Sequence, residues 1–173
     1  MIRSLLPSLL AVTLCGAAAA DTGERDLSRF IATTGPFCLD APAARCVDKG
    51  FAFADTDKDG TLSLEEVTKL HAAVLGWYDD HAEKLAPMDR QAMAAGLLVV
   101  QILGPEQVFR GFDANGDGKV TKAELTADVT LDDRPLGIVL SDPKSIDWTS
   151  LADRAGSAAP LVKRLLGPLV PPA

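Results

Sequence analysis

The chain has 173 residues, a formal charge of -7 and 47% hydrophobic residues, which allows one compact domain with a core of moderate size. The acidic balance excludes the clustered Lys and Arg that phosphate neutralisation needs, so nucleic acid is not expected as a partner, and neither is an electrostatic hold on anionic lipids. Acidity favours the attraction of cations.

The first twenty residues carry one charge, Arg3. An apolar stretch from Leu5 to Leu14 follows, interrupted at Pro7 and Ser8, and then the run Ala17-Ala18-Ala19-Ala20 before Asp21. Charged, apolar and small-residue segments in that order are the layout of a secretory signal peptide. Residues 1–20 are therefore expected to leave after Ala20, with 21–173 remaining as a single periplasmic or secreted domain. A spanning helix needs roughly 20 apolar residues, more than this stretch offers, so no membrane span is expected. Lipidation at Cys15 is the alternative to its removal, although Leu14 is not the small residue that usually precedes such a Cys. Without Cys15, the cysteines are Cys38 and Cys46, and an even pair in an exported chain reads as a disulfide. A C-x2-C spacing is absent and neither His is close by, which argues against zinc. The bridge would tie the segment before the next helix to that helix, which is expected to start near Asp40 with Pro42 in its first turn.

That helix carries Phe51 and Phe53 into an acidic loop, Asp55-Thr-Asp57-Lys-Asp59-Gly60-Thr61-Leu62-Ser63-Leu-Glu65-Glu66. A second loop, Asp113-Ala-Asn115-Gly-Asp117-Gly118-Lys119-Val120-Thr121-Lys-Ala-Glu124, follows a helix expected from about Pro105 with Phe109 and Phe112 on one face. Both loops fit D-x-[DN]-x-[DN]-G-x5-E at every specified position. At average residue usage one such match arises by chance in about 10⁻³ of chains of this length, and two make coincidence negligible.

On these residues the chain resembles the EF-hand calcium-binding family, in the form of an exported bacterial-type protein with two hands. The resemblance covers the loops and their flanking helices. It implies an all-α fold of paired helix-loop-helix units, with Leu62 and Val120 facing each other across a short ladder. It also implies two Ca2+ ions, one per loop. Calcium takes six to eight oxygens in flexible geometry, and the expected ligands are Asp55, Asp57, Asp59, Thr61, Ser63 and Glu66 in the first loop. In the second they are Asp113, Asn115, Asp117, Lys119, Thr121 and Glu124. Thr61 and Lys119 would bind through their carbonyls, with the Lys119 side chain pointing away. Ser63 and Thr121 hold the ninth position, which usually binds through water, and Glu66 and Glu124 close each site with two oxygens. An all-oxygen set excludes soft transition metals. Lanthanide-preferring loops typically carry Pro at position two and an acid at position nine; Thr56, Ala114, Ser63 and Thr121 depart from that pattern, which leaves lanthanide binding as a lesser alternative. Four ligand carboxylates against three predict tighter binding at the first loop.

From Val67 to Phe112 the chain is longer than the roughly 25–30 residues a compact pair needs between its loops. Val67, Leu70, Val74 and Trp77 keep helical spacing away from the first loop, and Pro87 breaks it. Met93, Leu97, Val100 and Leu103 then predict an inserted helix, broken by Gly104-Pro105. The insert reads as core covering the back of the pair, or as a switching element with Met88 and Met93 as an adaptable surface. His71 and His81 are expected at exposed helix positions. After the second loop a helix is expected over Lys122–Val129, then a loop holding Pro135, Gly137 and Pro143. Extra C-terminal helices follow: one capped by Asp147 over Trp148–Arg154, and Ala159–Leu166 stopped by Gly167-Pro168. Leu161, Val162, Leu165, Leu166, Leu169 and Val170 make the tail apolar, either self-packed or a docking segment.

Catalytic motifs are absent: no G-x-S-x-G, no H-E-x-x-H, no phosphate-cradling glycine loop. A binding protein rather than an enzyme is expected. It is either a calcium sensor or calcium-stabilised interaction module, meeting an unidentified protein through exposed apolar surface, or a structural or buffering protein without a switch.

Overall fold

The computed structural model describes residues 8–166, with side chains for residues 23–164. In chain order its elements are α1 (Ser8–Cys38), α2 (Ala43–Ala54), β1 (Thr61–Leu62), α3 (Leu64–His81), α4 (Pro87–Leu103), α5 (Pro105–Phe112), β2 (Val120–Thr121), α6 (Lys122–Leu125), α7 (Leu136–Ser141), α8 (Trp148–Asp153) and α9 (Ala159–Leu166). The fold is all-α apart from the ladder between β1 and β2. Residues 1–7 of the expected signal peptide and the expected Gly167-Pro168 stop lie outside the described residues. Among the described residues no single helix is long and apolar enough to cross a membrane.

Each acidic loop sits between two helices, α2 and α3 around the first, α5 and α6 around the second. The loops meet in an antiparallel ladder with Thr61 opposite Thr121 and Leu62 opposite Val120. β-branched residues at three of these four positions suit a pleated backbone. Leu62 and Val120, 4% and 2% exposed, turn inward and join Phe51, Ala54 and Phe109 in the core of the pair. Leu64, Val67, Leu70, Phe112 and Leu125 surround them. Apolar residues recurring on one face of each flanking helix thus bury a shared stripe.

α1 was not expected beyond the leader. It continues through residue 38 and lies against α3 and α2. Leu27 and Thr34 are buried, and Phe30 stacks on Phe53 with ring centroids 4.4 Å apart. The Cys38–Cys46 disulfide joins its end to α2, as the cysteine reading required. α1 therefore covers the back of the first hand, the place the sequence assigned to the insert.

The insert, α4, is a helix as expected but packs elsewhere. Pro87 and Pro105 stand at the first turns of α4 and α5, where a missing N–H is harmless. Val99 and Leu103 of α4 pack with Ala152, Ala155, Ala158 and Val162 in a second, smaller core. Met88 is 78% exposed at the other end. The two histidines are half-buried, not exposed: the His81 ring stacks on Trp77 with Nδ1 2.9 Å from the Trp77 carbonyl oxygen, and Nε2 of His71 is buried.

After the second loop the structure departs from the expected helix over Lys122–Val129. α6 ends at Leu125, and Val129 instead forms a bridge with Ile146, flanked by hydrogen bonds from Thr130 N to Ser145 O (2.7 Å) and from Asp147 N to Asp128 O (2.8 Å). The segment around Pro135 is a helix, α7, rather than a loop. Pro135 begins it, and Val139 is fully buried where α7 packs on α2. α8 starts as expected, with the Asp147 side chain accepting a hydrogen bond from Ser150 N. In α9, Val162 is buried and Leu161 is 42% exposed, so the described part of the tail packs on its own chain.

Two arginines fasten this C-terminal layer. Arg134 reaches Asp132, Asp142 (2.8 Å) and the Ser145 hydroxyl (2.9 Å). Arg154 pairs with Asp128, donates to the Gly111 carbonyl (3.1 Å) and lies over the Phe112 ring. A Cβ built on Gly111 would stand 2.5 Å from the Arg154 carbonyl oxygen, so α5 and α8 can approach only because this residue has no side chain. Gly111→Ala should cost about 1–3 kcal/mol, the range for overpacking, read as a lower denaturant midpoint with unchanged slope.

The Arg154 guanidinium holds the Asp128 carboxyl below its ordinary value of 3.8, against the opposing effect of burial and with help from Ser150. A depressed carboxylate contributes stability above its unfolded pKa and loses it as pH falls through the folded one. Stability should therefore decline from about pH 5 downward. Asp128→Asn should be less stable at neutral pH and flatter across that window, as measured by chemical denaturation at each pH.

Candidate metal centre

Within the first loop the chain coils so that Asp55, Asp57 and Asp59 each present a carboxylate oxygen within 4.8 Å of the others. Backbone donors hold them there. Asp55 accepts from Asp59 N (3.1 Å) and Gly60 N (2.9 Å), Asp57 from Asp59 N (3.1 Å), and Asp59 from Thr61 N (2.8 Å) and the Thr61 hydroxyl (2.6 Å). The turn needs positive φ at Gly60 (85°), and at Gly118 (79°) in the second loop, where glycine carries no Cβ penalty. Position four has the same sign. There Gly116 meets it without strain (φ 73°), whereas Lys58 adopts it with a side chain (φ 61°).

The second loop repeats the scheme. Asp113 accepts from Asp117 N (3.1 Å) and Gly118 N (2.9 Å), Asn115 from Asp117 N (2.9 Å), and Asp117 from Lys119 N (2.9 Å). The Asn115 amide also donates to Asp117 Oδ2 at 3.0 Å. Two carboxylates and an amide gather here where the first loop gathers three carboxylates.

The closing glutamates differ more than the sequence suggests. Glu66 is 6% exposed. Its Oε1 accepts from Thr56 N (2.7 Å) and the Thr56 hydroxyl (3.0 Å), and its Oε2 from Ser63 N and the Ser63 hydroxyl, both 2.9 Å. Burial pushes its carboxyl up, but these donors outweigh burial and hold it down at about 2. Glu124 accepts from Ala114 N (3.2 Å), Thr121 N (2.8 Å) and the Thr121 hydroxyl (2.8 Å), and these bonds lower its pKa as well. Ala114 offers no hydroxyl where Thr56 does.

Ser63 and Thr121 thus cap α3 and α6, each in a reciprocal box with the glutamate three residues on. The ligand motif had hidden this role, although S-x-x-E and T-x-x-E are readable in the sequence. Thr61 lies in β1, and Lys119 precedes β2. The Lys119 side chain does not point away: its Nζ sits 2.6 Å from Asp59 Oδ2 of the other loop. That contact, ahead of the Thr61 bonds, brings the Asp59 carboxyl down to about 2.

A buried or crowded set of ionised oxygens asks for a counter-charge, and the donors here are oxygens that suit a hard divalent cation. The Lys119 ammonium pairs with one of the first loop's carboxylates, that of Asp59. The residues present fit the ion expected from the sequence.

Two helix-loop-helix units, with acidic loops back to back across a short ladder, define a paired cation-binding protein. The EF hand family model matches the chain at residues 47–71 and 106–129, one match over each helix-loop-helix unit, and EF-hands indicate calcium binding. In comparisons with curated proteins and with solved structures, nothing matched.

Proposed function

We propose that the protein binds one calcium ion in each loop, through the twelve residues named for the sites, and that the ions stabilise a closed fold rather than open it. The observation that carries this reading is the clamp at the second hand. Arg154 of the α8 end is bonded to Gly111 at the end of α5 and to Asp128 just beyond α6, which ties both flanks of the loop to one point. Opening the hand would pull apart this nearly buried ion pair and the hydrogen bond to Gly111 together. The acidic clusters are engaged in loop geometry, which supports binding rather than catalysis. The leader-like residues 1–20 and the disulfide support an exported, periplasmic or secreted protein.

Calorimetry should give two ions per chain, and calcium should raise the melting temperature without new apolar dye binding. A large calcium-dependent gain in dye fluorescence would instead support a sensor that exposes an apolar groove to a protein partner. N-terminal sequencing of the mature chain tests export: Asp21 is the expected first residue.

A further inference from the structure

We propose that residues 23–38 of α1 form a strap that closes the first hand's apolar groove against a partner helix, and that the Cys38–Cys46 bond is its fastening. The proposal goes beyond calcium binding, since it concerns the groove behind the loop, on whose wall Thr56 and Glu66 also stand.

α2 and α3 leave between them a trough walled by Phe53, Ala54, Leu70 and Ala73, and α1 crosses over it. Contact runs along α1, where Leu27 and Thr34 are buried, and three places mark its course. At one end Gly23 stands against Ala73, close enough that an added Cβ would meet the Ala73 Cβ at 3.5 Å, and Glu24 lies over Gly76. In the middle Phe30 stacks on Phe53. At the far end the disulfide joins α1 to α2.

Beneath the helix a cavity of about 900 Å³ remains, and Asp26, Arg29 and Thr33 of α1 stand at its edge. A core helix fills the space under it, because interiors pack to nearly crystal density. α1 fills its trough only in part: Leu27 and Thr34 are buried and Phe30 stacks on Phe53, while the exposed Asp26, Arg29 and Thr33 stand at the mouth of the space that remains. The space is of the size that bound ligands occupy, about 300–1,000 Å³. An apolar groove between helices is the kind of surface an amphipathic helix enters. Here the occupant is a segment of the same chain, and another helix can enter only where α1 has left.

The fastening follows from connectivity. α1 and α2 are joined by the short turn from Leu39 to Pro42, which alone leaves their angle to the packing of α1 on α3. The disulfide spans the same corner and adds a second attachment, which fixes the angle and so lays the strap along the groove. Phe37 braces the corner beneath Arg45 and Lys49, at 5.5 and 4.8 Å, but exposed cation–π contacts of this kind are weak.

The test compares the calcium-saturated protein with its Cys38→Ser/Cys46→Ser variant by hydrogen exchange, with calcium stoichiometry measured in parallel. Amides of residues 24–37 should exchange at least about 10-fold faster in the variant while those of α3 keep their protection. A synthetic Leu/Lys amphipathic helix of roughly 18 residues should bind the variant at least about 10-fold more tightly than the bridged protein. Unchanged exchange in α1, exchange that rises equally in α1 and α3, or equal peptide binding would each overturn the proposal. If the variant does not fold, the folded protein is treated with a small dithiol, which passes two electrons and two protons to the bridge and is itself oxidised. Release of α1 before the remainder supports the strap, and simultaneous unfolding overturns it. Loss of calcium stoichiometry alone bears on the loops and leaves the strap result readable.

Discussion

Glu66→Gln will weaken calcium binding at the first loop by more than about 100-fold, and by more than Glu124→Gln weakens the second. Even the outer partners of metal ligands are worth about 10–100-fold in affinity, and Glu66 is expected to supply two oxygens directly. The substitution removes a charge and also turns an amide NH₂ toward donors that now find an oxygen there, Thr56 N or Ser63 N. A buried donor left facing a donor costs about 1–3 kcal/mol beyond the lost charge. Glu124 is more exposed and lacks the hydroxyl that Thr56 gives Glu66, so its replacement disturbs less. Calorimetric titration of both variants measures the difference, and a larger loss from Glu124→Gln would refute this order of the sites.

Arg154→Ala should destabilise the protein by about 3–5 kcal/mol, the cost of leaving one member of a buried pair alone. The side chains of Arg154 and Asp128 are 15% and 8% exposed, so water replaces little of what is lost. The same truncation strips the Gly111 carbonyl of its donor and Phe112 of its covering guanidinium. For a chain of this size the shift in melting temperature is about 10 °C or more. Replacing both partners, with Arg154→Met and Asp128→Leu, should recover much of the loss, because two apolar groups do not leave a buried charge behind. If the single variant melts within about 2 °C of the parent, the clamp on the second hand is not what holds it closed.

The place of the two loops was legible because the EF-hand motif fixes residue type at fixed spacing, and the starts of α5 and α8 followed from Pro105 and the Asp147 cap. α1 beyond residue 21 was not. Leu27, Phe30, Thr34 and Phe37 keep helical spacing, but Thr33-Thr34-Gly35-Pro36 reads as a break. Pro36 falls in the last turn of α1, where its missing N–H costs a single bond. α6 stops early for a tertiary reason: Asp128 is taken by Arg154 and Ser150, contacts from far along the chain that no local pattern reveals. α7 is too short for periodicity to show, and only the burial of Val139 against α2 explains it. The donors around Glu66 were missed because a ligand motif names the acid and is silent about what orients it.

The Lys119 side chain carries a consequence for how the sites fill. Its ammonium rests on Asp59 of the first loop, while its own residue belongs to the second and its charge also feels Asp117 there. An ion entering the first loop must compete with that lysine, and an ion in the second loop repels it. The two binding free energies therefore cannot be independent. Whatever factor one ion imposes on the other's affinity is returned in equal measure, and because the shared lysine is exposed, that cooperativity should shrink as salt is added.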